Sequence, residues 1–419
     1  MDYRYITDTL SLGGRIKQFP KDFIVEEIGD DYKTSIKYLP DKKVDTLDWD
    51  DIFSKKKENQ DYLILDLEKH NVSTPKAISE MARFLGLSKS RLSYAGLKDK
   101  RSISSQRISL YQPEKERISK FYFKDIKVYN PFWSSEKQNI GDLKENNFII
   151  TIRQIKDFSE NEITDIIEKV ILDVNTKGLI NYFGEQRFGG VREVTAKVGK
   201  ELILKNYEDA VMLYLTIPSE FENEEVSLAR KDILENKNFG KHASSFPLKT
   251  GFERAMLNQL AKDPTDFLGA FKCLQKSMQY IFIHAYQSFL FNEIINLRID
   301  KGHGINKIEG DKIINDFIYL QLFGFNSEFS KGIAGEIEKE VFKREQVTFK
   351  DFFNKEYSVF STKGDYRPLL KYPHNLKLIS IDDDDENEGL KKATVSFTLN
   401  KGQYATVLIR EIIKLENIG

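Results

Sequence analysis

Apolar side chains recur along this chain at two spacings: every second residue in some stretches, and every three or four residues in others. Between residues 14 and 28, Ile16, Phe23, Val25 and Ile28 alternate with polar neighbours on either side of Pro20. This predicts two strands near a sheet edge, where a proline removes no needed ladder hydrogen bond. Tyr62 to Leu67 predicts another strand. Thr74-Pro75, then Ile78, Met81, Ala82 and Leu85, then Gly86, predict a helix with Thr74 as N-cap and the proline in its first turn. Leu92 to Leu97, Ile108 to Tyr111 and Phe148 to Ile155 predict three more strands. Ile163, Ile166, Ile167, Val170, Ile171 and Val174, closed by Gly178, predict an amphipathic helix.

From about residue 207 to residue 371 the character shifts toward helix, most clearly over Lys276 to Ile299. Gly302-His303-Gly304 and Gly332 to Gly335 are expected to be turns, and Asp41 to Asn59 a charged surface excursion. Thr394 to Leu399 alternates again, and a last helix is expected from about Thr406 to Lys414. Strand, helix and strand with neighbouring antiparallel pairs point to an α+β fold with helices packed on one face of the sheet.

Composition narrows the function classes. The 419 residues, 40% of them hydrophobic, allow two or three domains with a sizeable core. A net charge of −1 does not by itself suggest a nucleic-acid partner, so any such contact must come from a local basic face. One exists. Between Arg83 and Arg107 there are seven basic residues against the single acid Asp99, a local charge of +6. Asp99 lies between Lys98 and Lys100, and nearby positive charge favours the carboxylate anion. An anionic carboxylate in a positive field suits a nucleophile or base acting on a polyanion, and equally suits a solvated turn with ordinary ion pairs. Arg83, Arg91, Lys100 and Arg101 are the candidate phosphate contacts, and Lys17 and Lys98 both suit a positive partner for Asp99.

Other constellations carry less. Asp382-Asp383-Asp384-Asp385-Glu386 lacks the spaced ligands and turn glycine of a calcium loop and is expected to be an acidic surface loop. The five histidines show no ligand spacing, and no phosphate-binding loop or dinucleotide fingerprint is present, so neither metal nor cofactor is expected. The single cysteine, Cys273, excludes an intrachain disulfide, fits a reducing compartment and is expected in the core. The N-terminal residues show no basic stretch followed by an apolar one, and no run approaches the roughly 18 apolar residues of a membrane span. A cytoplasmic monomer is the expectation.

Tyr94-Ala95-Gly96-Leu97-Lys98-Asp99-Lys100, with Gln106 following, resembles the signature of the TruD family of pseudouridine synthases, in which the aspartate is catalytic. Ser102, Ile103 and Ser104 stand where that family usually has Ala, Val and Thr. Gly13 to Glu27 resembles its N-terminal block, Asn181-Tyr182-Phe183-Gly184-Glu185-Gln186-Arg187-Phe188-Gly189 its second signature, and Gly402-Gln403-Tyr404-Ala405-Thr406-Val407-Leu408-Ile409-Arg410-Glu411 its last block, with Asn400 in place of a usual proline. Gln287 to Asn292 resembles a block of the family's inserted domain. The four signature blocks in order span nearly the whole chain.

The resemblance implies a mainly antiparallel mixed-sheet catalytic domain of pseudouridine synthase type, residues 1–206 and 372–419, interrupted by an inserted, helix-rich α/β domain at 207–371. It implies isomerisation of uridine to pseudouridine in tRNA at the family's usual position 13, without cofactor or metal. Asp99 is then the catalytic residue, with Lys17, Lys98, Asn181, Phe183 and Tyr404 around the substrate. Phe183 is expected to stack on the target uracil, its ring facing the cleft that holds Asp99, rather than to sit in the core beside Phe188. The alternative is an RNA-binding or chaperone-like protein that keeps the fold without the reaction, for which Ser102 and Ser104 are the local hint.

Overall fold

The computed structural model describes residues 3–37, 47–219, 222–244, 246–247 and 250–414; residues 41–46 of the expected surface excursion lie outside them. By packing, the chain forms two compact units, one of Tyr5–Leu179 with Tyr372–Gly419 and one of Met1–Arg4 with Ile180–Lys371.

The first unit is built on an eight-stranded sheet. Its strands are β1 (Phe23–Ile28), β2 (Tyr62–His70), β3 (Leu92–Tyr94), β4 (Ile103–Tyr111), β5 (Ile126–Ser134) and β6 (Glu145–Ile155), joined by His374–Asp383 and Lys391–Asn400. The order is His374–Asp383, Lys391–Asn400, β6, β1, β4, β2, β5, with β3 paired to β4. Only β1 with β4 runs parallel, Ile24 opposite Ile103, so the sheet is mixed and mainly antiparallel, and the α+β expectation holds. β1 is not near an edge as expected, since β6 and β4 flank it. Pro20 is accommodated because it starts the 3-10 turn Pro20–Asp22 that precedes the strand, where no ladder bond is asked of it. Of the expected strand before Pro20, only the isolated bridge Arg15 to Arg153 forms.

The period-2 side chains Leu63, Leu65 and Leu67 of β2 pack with Ile108 and Leu110 of β4 against Ala77, Ile78, Met81 and Leu85 of the helix Thr74–Leu85. Burying each such aliphatic side chain stabilises by about 1.5–3 kcal/mol. That helix ends where Gly86 takes φ +67°, a left-handed conformation that glycine adopts without Cβ strain. Its N-cap is Ser73 rather than Thr74, because the Thr74 hydroxyl is committed to a neighbouring loop. The helix Glu160–Lys177 ends at Gly178 as its sequence predicts, and a Ser159–Glu162 capping box closes its start.

The second unit is mainly helical. Its longest helix, Lys276–Asp300, packs on Thr195–Ile203, which is why residues 180–206 group by packing with the segment that follows them. Gly332 to Gly335, expected to be a turn, opens the helix Gly332–Glu345. A Cβ on Gly335 would lie 1.8 Å from the Ser330 carbonyl oxygen, so this glycine serves close approach rather than chain reversal. Cys273, expected in the core, is exposed, just past the short helix Phe267–Lys272. Among the described residues no helix is long and apolar enough to cross a membrane.

Candidate active site

Asp99 lies in the connection between β3 and β4, and hydrogen bonds fix that connection on both sides of it. On the N-terminal side, the Gln106 side-chain amide donates to the Gly96 carbonyl at 3.1 Å. The Thr74 hydroxyl donates to Gln106 Oε1 at 2.8 Å and accepts from the Lys98 backbone N–H at 3.1 Å. At Asp99 itself, the carbonyl oxygen accepts from Ser102 Oγ at 2.8 Å and from Lys69 Nζ at 2.6 Å. Ser102 is one of the departures from the family pattern, and its hydroxyl helps hold the aspartate. Ser104 Oγ is buried and meets no hydrogen-bond partner among the described residues.

The Asp99 carboxylate accepts from Lys17 Nζ at 2.8 Å, with the aspartate side chain 32% exposed. Lys17 therefore partners the aspartate, while the buried Lys98 ammonium pairs with Glu27 of β1. The sequence left that choice open. Glu27 also accepts from Tyr32 Oη and the Arg107 backbone N–H, so Lys98 belongs to a closed buried network. Lys17 has φ +57°, which costs a non-glycine residue about 1–2 kcal/mol and must be held by its surroundings. The Arg15 to Arg153 bridge lies on one side of it and the Pro20–Asp22 turn on the other.

That turn is anchored by the acidic run. Buried Arg153 bonds Asp22 and Asp384 at 2.6 Å each and Asp385 at 2.9 Å. Asp384 is buried, so the stretch expected to be a plain surface loop instead supplies counter-charges to a guanidinium that has left water. Lys69, fully buried on β2, is the group the sequence reading missed. Burial, opposed by the attraction of Asp99, lowers its ammonium from 10.5 to about 7. The available signal was a lysine within an otherwise enclosed strand, a position lysines rarely occupy.

The candidate phosphate contacts divide. Arg83, Lys100 and Arg101 are exposed, although Arg101 also donates to the Gln18 carbonyl at 2.9 Å. Arg91 is committed to the carbonyls of Tyr111 and Gln112. Tyr404 is half-buried and caps the helix Ala405–Ile413.

In the second unit, amides fix the Asn181 block. The Asn181 side chain donates to the Pro368 carbonyl at 2.9 Å and accepts from Arg367 Nη2 at 2.6 Å. Asn292 bonds both backbone groups of Phe183, its Oδ1 accepting from the N–H at 3.0 Å and its Nδ2 donating to the carbonyl at 2.9 Å. Tyr182 Oη bonds Asn296 at 2.7 Å. Phe183, expected to face a cleft rather than the core, is a buried residue, 7% exposed. Phe291 meets it edge-on at 5.5 Å, and the Arg367 guanidinium lies 4.0 Å from its centroid. Phe188 is fully buried. Asn292 lay inside a block that the resemblance flagged; nothing near Arg367 in sequence announced its contact with Phe183.

The sequence model of the family described as tRNA pseudouridine synthase D (TruD) matches residues 2–318 and 315–412. A probable tRNA pseudouridine synthase D of Methanosarcina acetivorans is 35% identical, over 98% of this chain and 95% of its own. A second relative, probable tRNA pseudouridine synthase D 1 of Methanocaldococcus jannaschii, is 33% identical over 98% of both chains. A crystal structure of a putative tRNA pseudouridine synthase D from Methanosarcina mazei superposes with a TM-score of 0.77 at 33% identity, covering 98% of this chain and 96% of that one. With the signature loop pinned around Asp99 and similarity running along nearly the whole length, the chain belongs to the tRNA pseudouridine synthase D family, whose members are isomerases.

Proposed function

We propose that this protein isomerises uridine 13 of tRNA to pseudouridine, with Asp99 as the catalytic residue. The reaction replaces the N1–C1′ glycosidic bond by a C5–C1′ bond within one nucleotide, so no co-reactant is needed. The observation that carries the reading is the Lys17–Asp99 pair, 2.8 Å apart with the carboxylate partly open to solvent. Attack on C1′, addition to the base and removal of the 2′ proton all require an ionised carboxylate in a positive field. A paired base must first leave its stack, at a cost of a few kcal/mol. Phe183 and Asn181 would recover part of it by stacking and edge hydrogen bonding, with Tyr404 at the substrate and Arg83, Lys100 and Arg101 on phosphates; Arg91, also expected there, is held instead by the Tyr111 and Gln112 carbonyls.

In the same reading, residues 1–206 and 372–419 form the catalytic domain and 207–371 the inserted one, and the enzyme is a cytoplasmic monomer that needs neither metal nor cofactor. Incubation with an unmodified tRNA transcript, followed by pseudouridine mapping, tests it. Conversion at position 13 is expected. Conversion at another position would overturn the target, and binding without conversion would restore the alternative of a non-catalytic RNA-binding protein.

A further inference from the structure

On the first unit, the helix Thr74–Leu85 touches the Asp99 loop through Thr74 at one end and presents Arg83 and Phe84 at the other. Ten residue steps from Thr74 to Phe84, at about 1.5 Å each, separate those ends by roughly 15 Å. Phe84, although aromatic, is 39% exposed. It meets Phe121 edge-on at 5.6 Å and Phe123 at 5.8 Å, two rings that are partly buried against the core beneath. Between them in sequence, Tyr122 projects outward and is 74% exposed. Lys127 Nζ lies 4.5 Å from the Tyr122 ring centroid and donates to the Phe123 carbonyl at 3.0 Å. Arg83, Lys120 and Lys124 are exposed around these rings and make no ion pair among the described residues.

Two solvent-facing aromatics on a rigid aromatic base, bordered by cations without acidic partners, match what unpaired nucleotides require: faces for bases to stack on and positive charge for the backbone. A protein partner with an apolar surface would not call for the surrounding cations. We propose that this patch is a second RNA-contact surface, where Phe84 and Tyr122 stack unpaired bases of the substrate tRNA and Lys120 and Lys124 hold the adjoining phosphates. It rests on the reading of this protein as a tRNA-modifying enzyme. At about 15 Å from the Asp99 loop it engages nucleotides a few steps from the target uridine, outside the catalytic pocket.

Titration of the full-length protein with an unmodified, fluorescently labelled tRNA transcript at several salt concentrations tests the idea through two separable readouts. Tyr122→Ala removes a stacking face without touching the core, and is expected to weaken binding about 5- to 150-fold if one base stacks there, with the salt slope unchanged. Lys120→Gln with Lys124→Gln should instead flatten the slope of log K against log salt by about 1.4, at roughly 0.7 per cation on single strands. Phe84→Ala alone is ambiguous because its ring packs on Phe121 and Phe123, and so Tyr122 carries the test. Parent-like affinity of Tyr122→Ala, or a parent-like slope of the lysine pair, overturns the patch. Loss of a dimer by the same variant on sedimentation, with tRNA affinity intact, also overturns it and assigns the rings to a second copy of the chain. The parent protein's conversion of the same transcript separates the two readings: if the parent converts uridine and the variants bind like it, only the patch fails; if the parent neither binds nor converts, both fail.

Discussion

The two stretches proposed to carry this protein's chemistry are held in different ways. The Asp99 loop is fixed largely by charge: Lys17 on the carboxylate, Lys69 on the carbonyl, Lys98 locked into Glu27, and Arg153 with its three aspartates steadying the turn next to Lys17. The Asn181 block is fixed largely by amides and rings, with Asn292 on both backbone groups of Phe183, Asn296 on Tyr182 and Phe291 against the Phe183 ring, and by one cation, the Arg367 guanidinium, on the Asn181 side chain and over the Phe183 ring. Under the proposed roles, an aspartate that acts as an anion benefits from fixed cations, and a surface that receives an uncharged base benefits chiefly from shape and orientation. The first region should therefore respond to removal of single charges and to pH, the second to side-chain shape.

The largest effect is expected at Asp99. Asp99→Asn keeps the shape and removes the charge, so conversion should fall to background while tRNA affinity stays within a few-fold of the parent. Turnover above a few per cent of the parent's would end the assignment. The two lysines flanking the problem should then separate. Lys17→Met removes a charge-assisted hydrogen bond worth about 1.5–3 kcal/mol, a loss of roughly 10- to 150-fold in kcat with little change in melting temperature. Lys98→Met strands Glu27 in the interior, which costs about 3–5 kcal/mol of stability. Circular dichroism melts beside single-turnover assays distinguish these; equal behaviour of the two variants would show that the pairing of Lys17 with Asp99 has no catalytic meaning.

Next in size is Phe183. With the ring 7% exposed, truncation to alanine would confuse stacking with packing, so the informative pair is Phe183→Leu and Phe183→Tyr. Leucine keeps most of the apolar bulk and loses the π-face; tyrosine keeps both. If the ring stacks on the target uracil, the leucine variant should lose about 5- to 150-fold in activity and the tyrosine variant little. Equal losses in both, tracking their melting temperatures, would make Phe183 a packing residue.

Much of this was legible in the chain. β2, β4, β6 and the helix Glu160–Lys177 follow from their apolar runs and side-chain period, β2 and β4 being enclosed on both faces and the helix burying one face against the core. Asp99 stood out because a lone acid among bases is visible in one dimension. What stayed hidden depends on partners distant in sequence. Lys98 reaches Glu27 and Arg153 reaches Asp384, and so a lysine that suits a partner for Asp99 pairs elsewhere, and one residue of an otherwise exposed acidic run, Asp384, is buried. Thr74 looks like an N-cap by position, yet its hydroxyl serves Lys98 and Gln106, a choice made by tertiary contacts that no local pattern records. β1 lies inside the sheet rather than near its edge, because the proline taken as an edge mark starts a turn that is over at Asp22, before the strand begins, and so asks nothing of the ladder.

The smallest expected effect is a dependence on pH carried by Lys69. Its ammonium loses its proton near 7 in the folded chain and at its ordinary value of 10.5 when unfolded. Below 7 both states hold the proton, and the cost of burying the charge is borne in full. Between 7 and 10.5 the unfolded chain binds more proton than the folded one, so stability rises with pH across that window. From pH 7 to pH 8 the gain is about 1 kcal/mol. Lys69→Met keeps much of the apolar stem and abolishes the titration, and comparing parent with variant cancels the groups they share. The melting temperature of the parent relative to Lys69→Met should therefore rise between pH 7 and pH 8 by about 1–2 °C. A constant difference would mean that Lys69 stays charged through neutrality, and that a fixed cation rather than a titrating one holds the carbonyl of Asp99.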